Sequence, residues 1–345
     1  MQSPFGKLVL FGSGETSPTG RKIHRKVLKT VSKKQNIVIL ETPAGFQPNS
    51  ALVACDIADV FHHSLAEFTK NVSIIPARRK GSEFSPDNTT LLTPVATADY
   101  IFLGPGSPTY TVRILKNSKA LTAIVERFKV GATLALSSAA AISFGEFALP
   151  VYEIYKAGAD LYWEKGLNVL TEFGLPISVV THWNNHEGGE GLDTRYCYMG
   201  EERFGRLRAM LPKEAKVLGI DEQTAIIFDF QQDIFSVEGV GSVHILQNEK
   251  TVTLEQGKTY MFDSIKKMQM IPSKKTLQNI FKHEKEVHEH IAQNDLPEVL
   301  QTLLEKRRLA KTQKDFVKAD AIRQQFHENG YHIEDELDGE KIYKD

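Results

Sequence analysis

The amino-acid sequence predicts an α/β protein built on a doubly wound, mostly parallel sheet, with a small helical appendage at the C-terminus. Short apolar runs rich in β-branched residues alternate with longer stretches of helical periodicity along most of the chain. The runs are apolar throughout, which is typical of parallel strands covered by helices on both faces. In residues 276–345 the pattern changes to periodic Leu, Ile, Phe and Val among dense charges, which indicates helices.

Five apolar runs precede residue 140, and each ends in Gly, Pro, Ser or Thr, as buried strands commonly do. Helices are predicted between them at 22–34, 49–69 and 110–128. A further strand, PISVVTHW, is predicted to end at His182, and the segments IFSVEGVGSVHIL and KTVTLEQGKTYMF indicate an antiparallel hairpin or two. The five runs are KLVLFGS (7–13), NIVILET (36–42), NVSIIPA (71–77), DYIFLGP (99–105) and ATLALSS (132–138).

The change in pattern near the C-terminus predicts two domains. The α/β domain is assigned to residues 1–266, and MIPSKK marks a linker at 267–275. The remaining residues, 276–345, form the predicted helical tail. Its helices are expected at 276–292, 297–312 and 314–329, and Gly330 is placed where a helix commonly ends.

The composition is that of a folded protein with no overall charge that demands a particular partner. Hydrophobic residues make up 41% of the chain and charged residues 25%, and the net charge is −1. No apolar run approaches the roughly 18 residues of a membrane span, and the N-terminal apolar stretch is too short for a secretory signal. The two cysteines, Cys55 and Cys197, lack the spacing of a disulfide framework or a zinc ribbon. A cytoplasmic location without a membrane partner is expected, and a homo-oligomer is compatible with this composition.

Loops that follow the predicted strands are the first place to look for a site, because ligands bind beyond the carboxyl ends of parallel strands. These loops are rich in Gly, Pro, Ser and Thr, residue types that are also common in ordinary turns. Any one loop by itself is therefore equally well explained as a turn. The loops are GSGET (12–16), TPAGFQPN (42–49), GPGSPTY (104–110) and SSAAA (137–141).

Ser138 is the candidate nucleophile, because it follows the strand ATLALS directly and small residues come after it. A serine on a tight strand-to-helix turn needs a base and a pair of N–H donors to become reactive. His182, at the end of a later strand, is a candidate base, although it is equally placed to cap that strand. The N–H groups of Gly106 and Ala139 are the candidate oxyanion donors.

Seven segments resemble, in order, the landmarks of the dipeptidase E and cyanophycinase family of serine peptidases. The resemblance covers residues 5–248 and implies a fold similar to the class I glutamine amidotransferase domain, which is flavodoxin-like, with Ser in place of Cys at the elbow. It also implies a serine peptidase or amidase that cleaves a small peptide or amide substrate. The segments are LVLFGSGE, FLGPGSPTY, SSAAA, VVTHW, ERFGRLRA, LGIDEQTAIIF and VEGVGSVHIL.

The resemblance assigns roles to individual residues. The Ser-Ala-Gly-Ala elbow of the family matches residues 138–141, which makes Ser138 the nucleophile, and the strand histidine of the family matches His182. The acidic third member lies after the elbow, where Glu153 is the best match by spacing and Asp160 is a second candidate. Such an acid holds the tautomer of the imidazole and stabilises the imidazolium.

Five residues are predicted to contact the substrate. Arg195 and Arg203 are candidates because a guanidinium binds a carboxylate through two hydrogen bonds, although a surface salt bridge is the common alternative for each. Glu222 and Thr224 match family positions near the cleft, or else cap a strand. Ser107 belongs to the glycine loop of the same cleft.

The chain departs from the family pattern at three places. Ala140 replaces the glycine of the elbow, so a methyl group enters the turn. Pro105 and Pro108 remove two N–H donors from the glycine loop, which leaves Gly106 as the expected oxyanion donor there. Residues 183–201, WNNHEGGEGLDTRYCYMGE, form a larger insertion than the family has.

The insertion contains a possible metal pattern, since His182 and His186 stand four apart and Glu187 is adjacent. On a helix this spacing is able to bind zinc. The neighbouring Asn184, Asn185 and glycines favour a loop instead. Neither a metal nor another cofactor is therefore expected.

The tail, residues 307–343, resembles the extreme C-terminal segment of cysteinyl-tRNA synthetase, although the catalytic signatures of the synthetase are absent. Residues 306–323 carry seven basic and two acidic side chains, which suits contact with RNA phosphates as well as an ordinary solvated helix. A second functional hypothesis is therefore a catalytically silent protein that binds tRNA or other RNA through this tail. The candidate contacts are Arg307, Lys311, Lys314 and Lys318.

Overall fold

The computed structural model describes residues 5–267, 296–313, 315–336 and 339–344. The chain divides into two compact units, residues 1–273 and residues 274–345. The predicted helix at 276–292 lies outside the described residues, as does the predicted linker apart from Lys267.

The first unit is built on two larger sheets and a short two-stranded ribbon. The strands are β1 (Lys7–Phe11), β2 (Gln35–Leu40), β3 (Thr69–Ile75), β4 (Tyr100–Leu103), β5 (Thr133–Ser137), β6 (Phe147–Ala148), β7 (Glu164–Lys165), β8 (Ile177–Val180), β9 (Lys216–Ile220), β10 (Thr224–Asp229), β11 (Ile234–Gly239), β12 (Val243–Gln247), β13 (Lys250–Leu254) and β14 (Thr259–Met261). Eight strands form the main sheet in the order β14-β11-β10-β1-β5-β4-β2-β3, four form a second sheet in the order β13-β12-β9-β8, and β6 pairs with β7.

The predicted α/β class with a mostly parallel central sheet is confirmed. Strands β1 to β5 form one parallel block, in which β5 pairs with β1 and β4, and β2 pairs with β4 and β3. Successive side chains of one strand enter different cores: Leu8 and Leu10 of β1 face one cluster, whereas Val9 and Phe11 face another. Both faces of the block are therefore covered, which explains why its strands read as continuous apolar runs.

The helices differ from their predicted bounds for local reasons. The first helix begins at Pro18 rather than at the predicted residue 22, because Ser17 caps it. The stretch predicted as one helix at 110–128 is two helices, because Ser118 caps the second of them. The helices of this unit are α1 (Pro18–Leu28), α2 (Ser50–Asp59), α3 (Thr89–Leu92), α4 (Pro108–Leu115), α5 (Lys119–Lys129), α6 (Ala139–Phe144), α7 (Val151–Tyr155), α8 (Val169–Glu172), α9 (Arg195–Tyr198), α10 (Gly200–Met210) and α11 (Asp263–Lys267).

The two segments predicted as hairpins instead cross between the sheets. The first of them supplies β11 and β12, and β11 pairs with β10 and β14, whereas β12 pairs with β9 and β13. The second supplies β13 and β14, which also belong to different sheets. The alternating pattern identified the strands correctly, but it does not determine which strands are neighbours.

The second unit contains helices α12 (Glu298–Thr312) and α13 (Phe316–Glu328) near their predicted positions. Gly330, at a φ of 77°, follows α13 in the left-handed conformation that commonly ends a helix. The chain then forms a hairpin of β15 (Tyr331–Glu336) and β16 (Gly339–Lys344), which the sequence pattern did not predict. These elements share a small core of Leu296, Leu300, Leu304, Ile322, Phe326, Ile333 and Ile342.

One of the predicted RNA contacts is corrected, because Arg307 is only 1% exposed and is not presented to a phosphate backbone. Lys318 is exposed, and Lys314 lies outside the described residues. RNA binding by the tail stays a prediction. None of the helices within the described ranges combines the length and apolarity that a membrane crossing needs.

A glycine in β9 is required by the packing of the residue next to the candidate base. A methyl group at Gly219 would lie 2.3 Å from Cε3 of Trp183, and the indole stacks on His244 at 5.4 Å between ring centroids. We expect Gly219→Ala to lower the free energy of unfolding by about 1–3 kcal/mol, as overpacking does in cores.

The matched control is Gly205→Ala in α10, where an added methyl group meets nothing within 4 Å. Because alanine has the higher helix propensity, this variant should be more stable by up to about 1 kcal/mol. Urea unfolding of both variants checks the pair. Equal stability of the two variants would show that Trp183 does not pack against β9 as described.

Candidate active site

Three side chains of different chain segments meet beyond the carboxyl ends of strands β5, β8 and β9. Ser138 follows β5 directly, His182 follows β8 by two residues, and Glu222 follows β9 by two residues. The end of β1 anchors two of them through the backbone: Ser138 N donates to Phe11 O at 3.2 Å, and His182 N donates to Gly12 O at 3.4 Å. The site therefore lies where parallel strands end, as the sequence pattern predicts.

Ser138 occupies a strained turn between β5 and α6. Its φ of 50° and ψ of −115° are rare for a residue with a side chain. The turn directs Ser138 Oγ toward Nε2 of His182 at 2.9 Å. Ala140, which replaces the glycine of the family elbow, lies inside α6 and is fully buried, so its methyl group packs in the core.

The acid that contacts the imidazole is Glu222. His182 Nδ1 lies 3.0 Å from Glu222 Oε1, which also accepts a hydrogen bond from Asn185 Nδ2 at 2.9 Å. A carboxylate only accepts, so Nδ1 carries the proton and Nε2 is left to accept from Ser138. The hydrogen bond from His182 lowers the pKa of Glu222, and the one from Asn185 lowers it further.

The prediction that Glu153 fills this position is wrong. Glu153 Oε1 instead accepts a hydrogen bond from Thr109 Oγ1 at 2.6 Å. Asp160, the second candidate, is exposed in the segment after α7. Spacing along the sequence favoured Glu153, whereas Glu222 lies two residues after the end of β9, in one of the loops that follow the strands.

The two predicted oxyanion donors, the N–H groups of Gly106 and Ala139, belong to residues that line the same cavity as Ser138. Gly106 has a φ of 152°, and a methyl group there would lie 1.9 Å from Pro43 O, so this position accepts only glycine. Ala139 is the first residue of α6, where backbone N–H groups lack partners inside the helix. In the part of the chain that the structure describes, neither N–H donates a hydrogen bond. They are therefore available to a bound oxyanion.

A cavity of about 400 Å³ opens beside Ser138. Its walls combine aromatic rings with one ammonium and one carboxylate: Lys156 Nζ lies 4.8 Å from the ring centroid of Tyr152, and Tyr198 Oη donates to Glu187 Oε2 at 2.7 Å. A cavity of this size and mixed lining accommodates a small polar molecule. The lining side chains are Pro105, Pro108, Ile142, Val151, Tyr152, Tyr155, Lys156, Glu187, Cys197 and Tyr198, in addition to the residues already described.

The insertion supplies one wall of this cavity through a left-handed turn. Tyr196, Cys197 and Tyr198 have φ values of 56°, 56° and 69°, a conformation that costs roughly 1–2 kcal/mol per residue. Backbone hydrogen bonds hold the turn against the candidate base, since Cys197 N donates to His182 O at 3.2 Å. Burial raises the pKa of Cys197 to about 12, so this thiol is packed rather than reactive.

Of the five predicted substrate contacts, only Glu222 lies at the site, and there it contacts His182. Arg195 forms a bidentate ion pair with Asp193 at 3.0 and 2.8 Å. Arg203 donates to the carbonyl oxygens of Met199 and Tyr198, which supports the left-handed turn.

The two predicted hydroxyl contacts also have structural roles. Ser107 Oγ caps α4 by accepting from Tyr110 N, and Thr224 Oγ1 donates to Glu222 O at 3.1 Å. Neither lines the cavity beside Ser138. Both therefore act on the site through the backbone that they hold in place.

Two residues of the possible zinc pattern, His182 and Glu187, make other contacts. Within the described ranges, no group of three or more His, Cys, Asp or Glu side chains is placed to hold a metal ion. His182 contacts Ser138 and Glu222, and Glu187 accepts from Tyr198.

No family model matches the chain, and no curated protein matches its sequence. Among solved structures, the chain is similar to a peptidase from an acI-B1 Actinobacterium, with a TM-score of 0.60 and 21% identity over 76% of this chain and 99% of that one. A putative peptidase E protein from Listeria monocytogenes EGD-e gives a TM-score of 0.45 and 13% identity over 73% of this chain and 100% of that one. The first similarity shows that the chain shares the fold of a solved peptidase.

Proposed function

We propose that this protein is a serine hydrolase that cleaves a small peptide or amide substrate. The observation that carries the proposal is the continuous hydrogen-bonded chain from Ser138 through His182 to Glu222, at 2.9 and 3.0 Å. A nucleophile, a base and an acid that orients the base are the parts that a serine hydrolase needs. The fold, shared with a solved peptidase, supports the same reaction class.

The first half of the reaction transfers the acyl group to the enzyme. His182 Nε2 removes the proton of Ser138 Oγ as the oxygen attacks the carbonyl carbon of the substrate. The negative charge that develops on the carbonyl oxygen is stabilised by the N–H groups of Gly106 and Ala139. His182 then gives its proton to the leaving amine, and the carbon–nitrogen bond breaks.

In the second half, water hydrolyses the ester formed on Ser138, and His182 again removes and returns the proton. Glu222 assists both halves because its carboxylate stabilises the imidazolium that forms twice. The lowered pKa of Glu222 keeps it ionised at neutral pH. Asn185 holds the same carboxylate oxygen in place at 2.9 Å.

The glycine loop, through Gly106, and the elbow, through Ser138 and Ala139, line the same cavity, which favours turnover over a silent scaffold. A strained turn stabilised by its surroundings is typical of a functional site.

Reaction with a fluorophosphonate probe tests the nucleophile. We expect the wild-type protein to be labelled at Ser138 and the Ser138→Ala protein to remain unlabelled, because this hydroxyl contacts the base. Intact mass spectrometry followed by peptide mapping measures the outcome.

The matched control is Ser137→Ala, since the hydroxyl of Ser137 is buried and donates to Glu15 Oε2 at 2.8 Å. This variant should keep the label. Equal labelling of the Ser138→Ala protein and the wild type would refute the proposed nucleophile.

Replacement of Glu222 tests the assignment of the acid. Glu222→Gln keeps the size of the side chain but removes the charge that stabilises the imidazolium. We expect the rate of phosphonylation to fall by about 10⁴-fold, the loss seen when the acid of such a triad is neutralised. The measurement is the second-order rate constant of labelling, with Asp160→Asn as a control that leaves it unchanged. A Glu222→Gln protein that reacts at the wild-type rate would place the acid elsewhere.

A further inference from the structure

A chain of hydrogen bonds links Glu153 to the oxyanion loop. Tyr110 N donates to Ser107 Oγ at 3.2 Å, Ser107 Oγ lies 3.0 Å from Thr109 Oγ1, and Thr109 Oγ1 donates to Glu153 Oε1 at 2.6 Å. Ser107 directly follows Gly106, the proposed oxyanion donor. The carboxylate on α7 is therefore connected through two hydroxyl groups to the residue beside that donor.

The carboxylate determines the direction of every bond in this chain. An ionised carboxylate only accepts, so the single proton of the Thr109 hydroxyl points to Glu153. Thr109 Oγ1 must then accept from the Ser107 hydroxyl, which leaves the Ser107 oxygen free to accept from Tyr110 N. That last bond is the cap of α4, whose first residue is Pro108. Without an acceptor at Glu153, the two hydroxyls lose this fixed order.

The oxyanion loop is held from two sides. On one side Ser107 N donates to Pro43 O at 2.9 Å, and on the other the hydroxyl of Ser107 belongs to the chain that ends at Glu153. Both attachments are made by Ser107, and Gly106, which directly precedes it, adopts a φ of 152°. Because Gly106 is joined to Ser107 by one peptide bond and has no side chain of its own, these attachments restrict the conformation in which it presents its N–H.

The carboxylate of Glu153 in turn depends on the hydrogen bond from Thr109. Its second oxygen, Oε2, is buried and has no hydrogen-bond partner within the described ranges. Thr109 therefore supplies the one hydrogen bond that the described residues give to this carboxylate. A short bond to a charged acceptor is among the stronger hydrogen bonds in proteins, so we expect the pair to be tightly coupled.

From these contacts we infer that Glu153 is a positioning residue: through Thr109 and Ser107 it fixes the loop that presents the Gly106 N–H to the oxyanion. The inference rests on the proposed serine hydrolase function. It gives Glu153 a role in the reaction without contact with His182 or with the reacting atoms. Misplacement of an oxyanion donor slows the chemical step and leaves initial binding largely intact.

The test is the kinetics of phosphonylation, which separates the maximal rate constant of reaction from the half-saturation concentration of the probe. Glu153→Leu removes the acceptor and Thr109→Val removes the donor, each with little change in side-chain size. We expect each variant to lower the maximal rate constant by about 10-fold to 100-fold, while the half-saturation concentration stays within about threefold.

Three further proteins sharpen the test. The double variant Thr109→Val/Glu153→Leu should be no slower than either single variant, because both changes remove the same hydrogen bond between Thr109 and Glu153. Glu153→Gln retains an acceptor oxygen and should recover most of the rate. Glu164→Gln is the matched control, since Glu164 lines the same neighbouring cavity of about 550 Å³ as Glu153. This control should react at the wild-type rate.

A wild-type rate constant for Glu153→Leu, or effects of the two single changes that multiply in the double variant, would overturn the inference. A change confined to the half-saturation concentration would also overturn it, since it would place Glu153 in probe binding. Thermal unfolding identifies any variant that does not fold. If Glu153→Leu does not fold, the rate constant of Thr109→Val tests the positioning role, because valine fills nearly the volume of threonine. Failure of the wild-type protein to react would count against the hydrolase itself, not against the positioning role.

Discussion

The candidate site depends on the turn at Ser138, where the backbone passes from strand β5 into helix α6 at a positive φ. Along a strand, successive side chains point to opposite faces of the sheet, and Ser137 is buried in this way. Because the backbone changes direction at Ser138, its hydroxyl does not follow the alternation of the strand and is directed toward His182. Such a backbone costs of the order of 1–3 kcal/mol, and the three alanines that follow Ser138 in α6 are buried.

The second requirement is that the two sheets meet at their strand ends. His182 and Glu222 follow β8 and β9, which are parallel neighbours in the second sheet, so the imidazole and the carboxylate arrive side by side. Ser138 belongs to the main sheet. The hydrogen bond from His182 N to Gly12 O joins the second sheet to the end of β1, next to the strand that carries Ser138.

Much of the fold was predictable from sequence because apolar runs and turn residues are local signals. The strands of the parallel block, the turn at Ser138 and the glycine loop all follow from such signals. Glu222 was noticed as a cleft residue but not as the acid, because its contact with His182 depends on β8 and β9 being neighbours, which periodicity does not encode. The roles of Arg195 and Arg203 were misjudged for a related reason, since their partners come from the folded insertion. Glu153 was selected as the acid by its spacing from the elbow, but its contact is with Thr109.

The most direct test of the proposed hydrolase is a crystal structure of the protein after reaction with a fluorophosphonate. We expect a covalent bond from phosphorus to Ser138 Oγ and a phosphoryl oxygen within about 3 Å of the backbone nitrogens of Gly106 and Ala139. We also expect His182 to remain between Ser138 and Glu222. Phosphorus on another side chain, or a phosphoryl oxygen directed away from both nitrogens, would contradict the proposal.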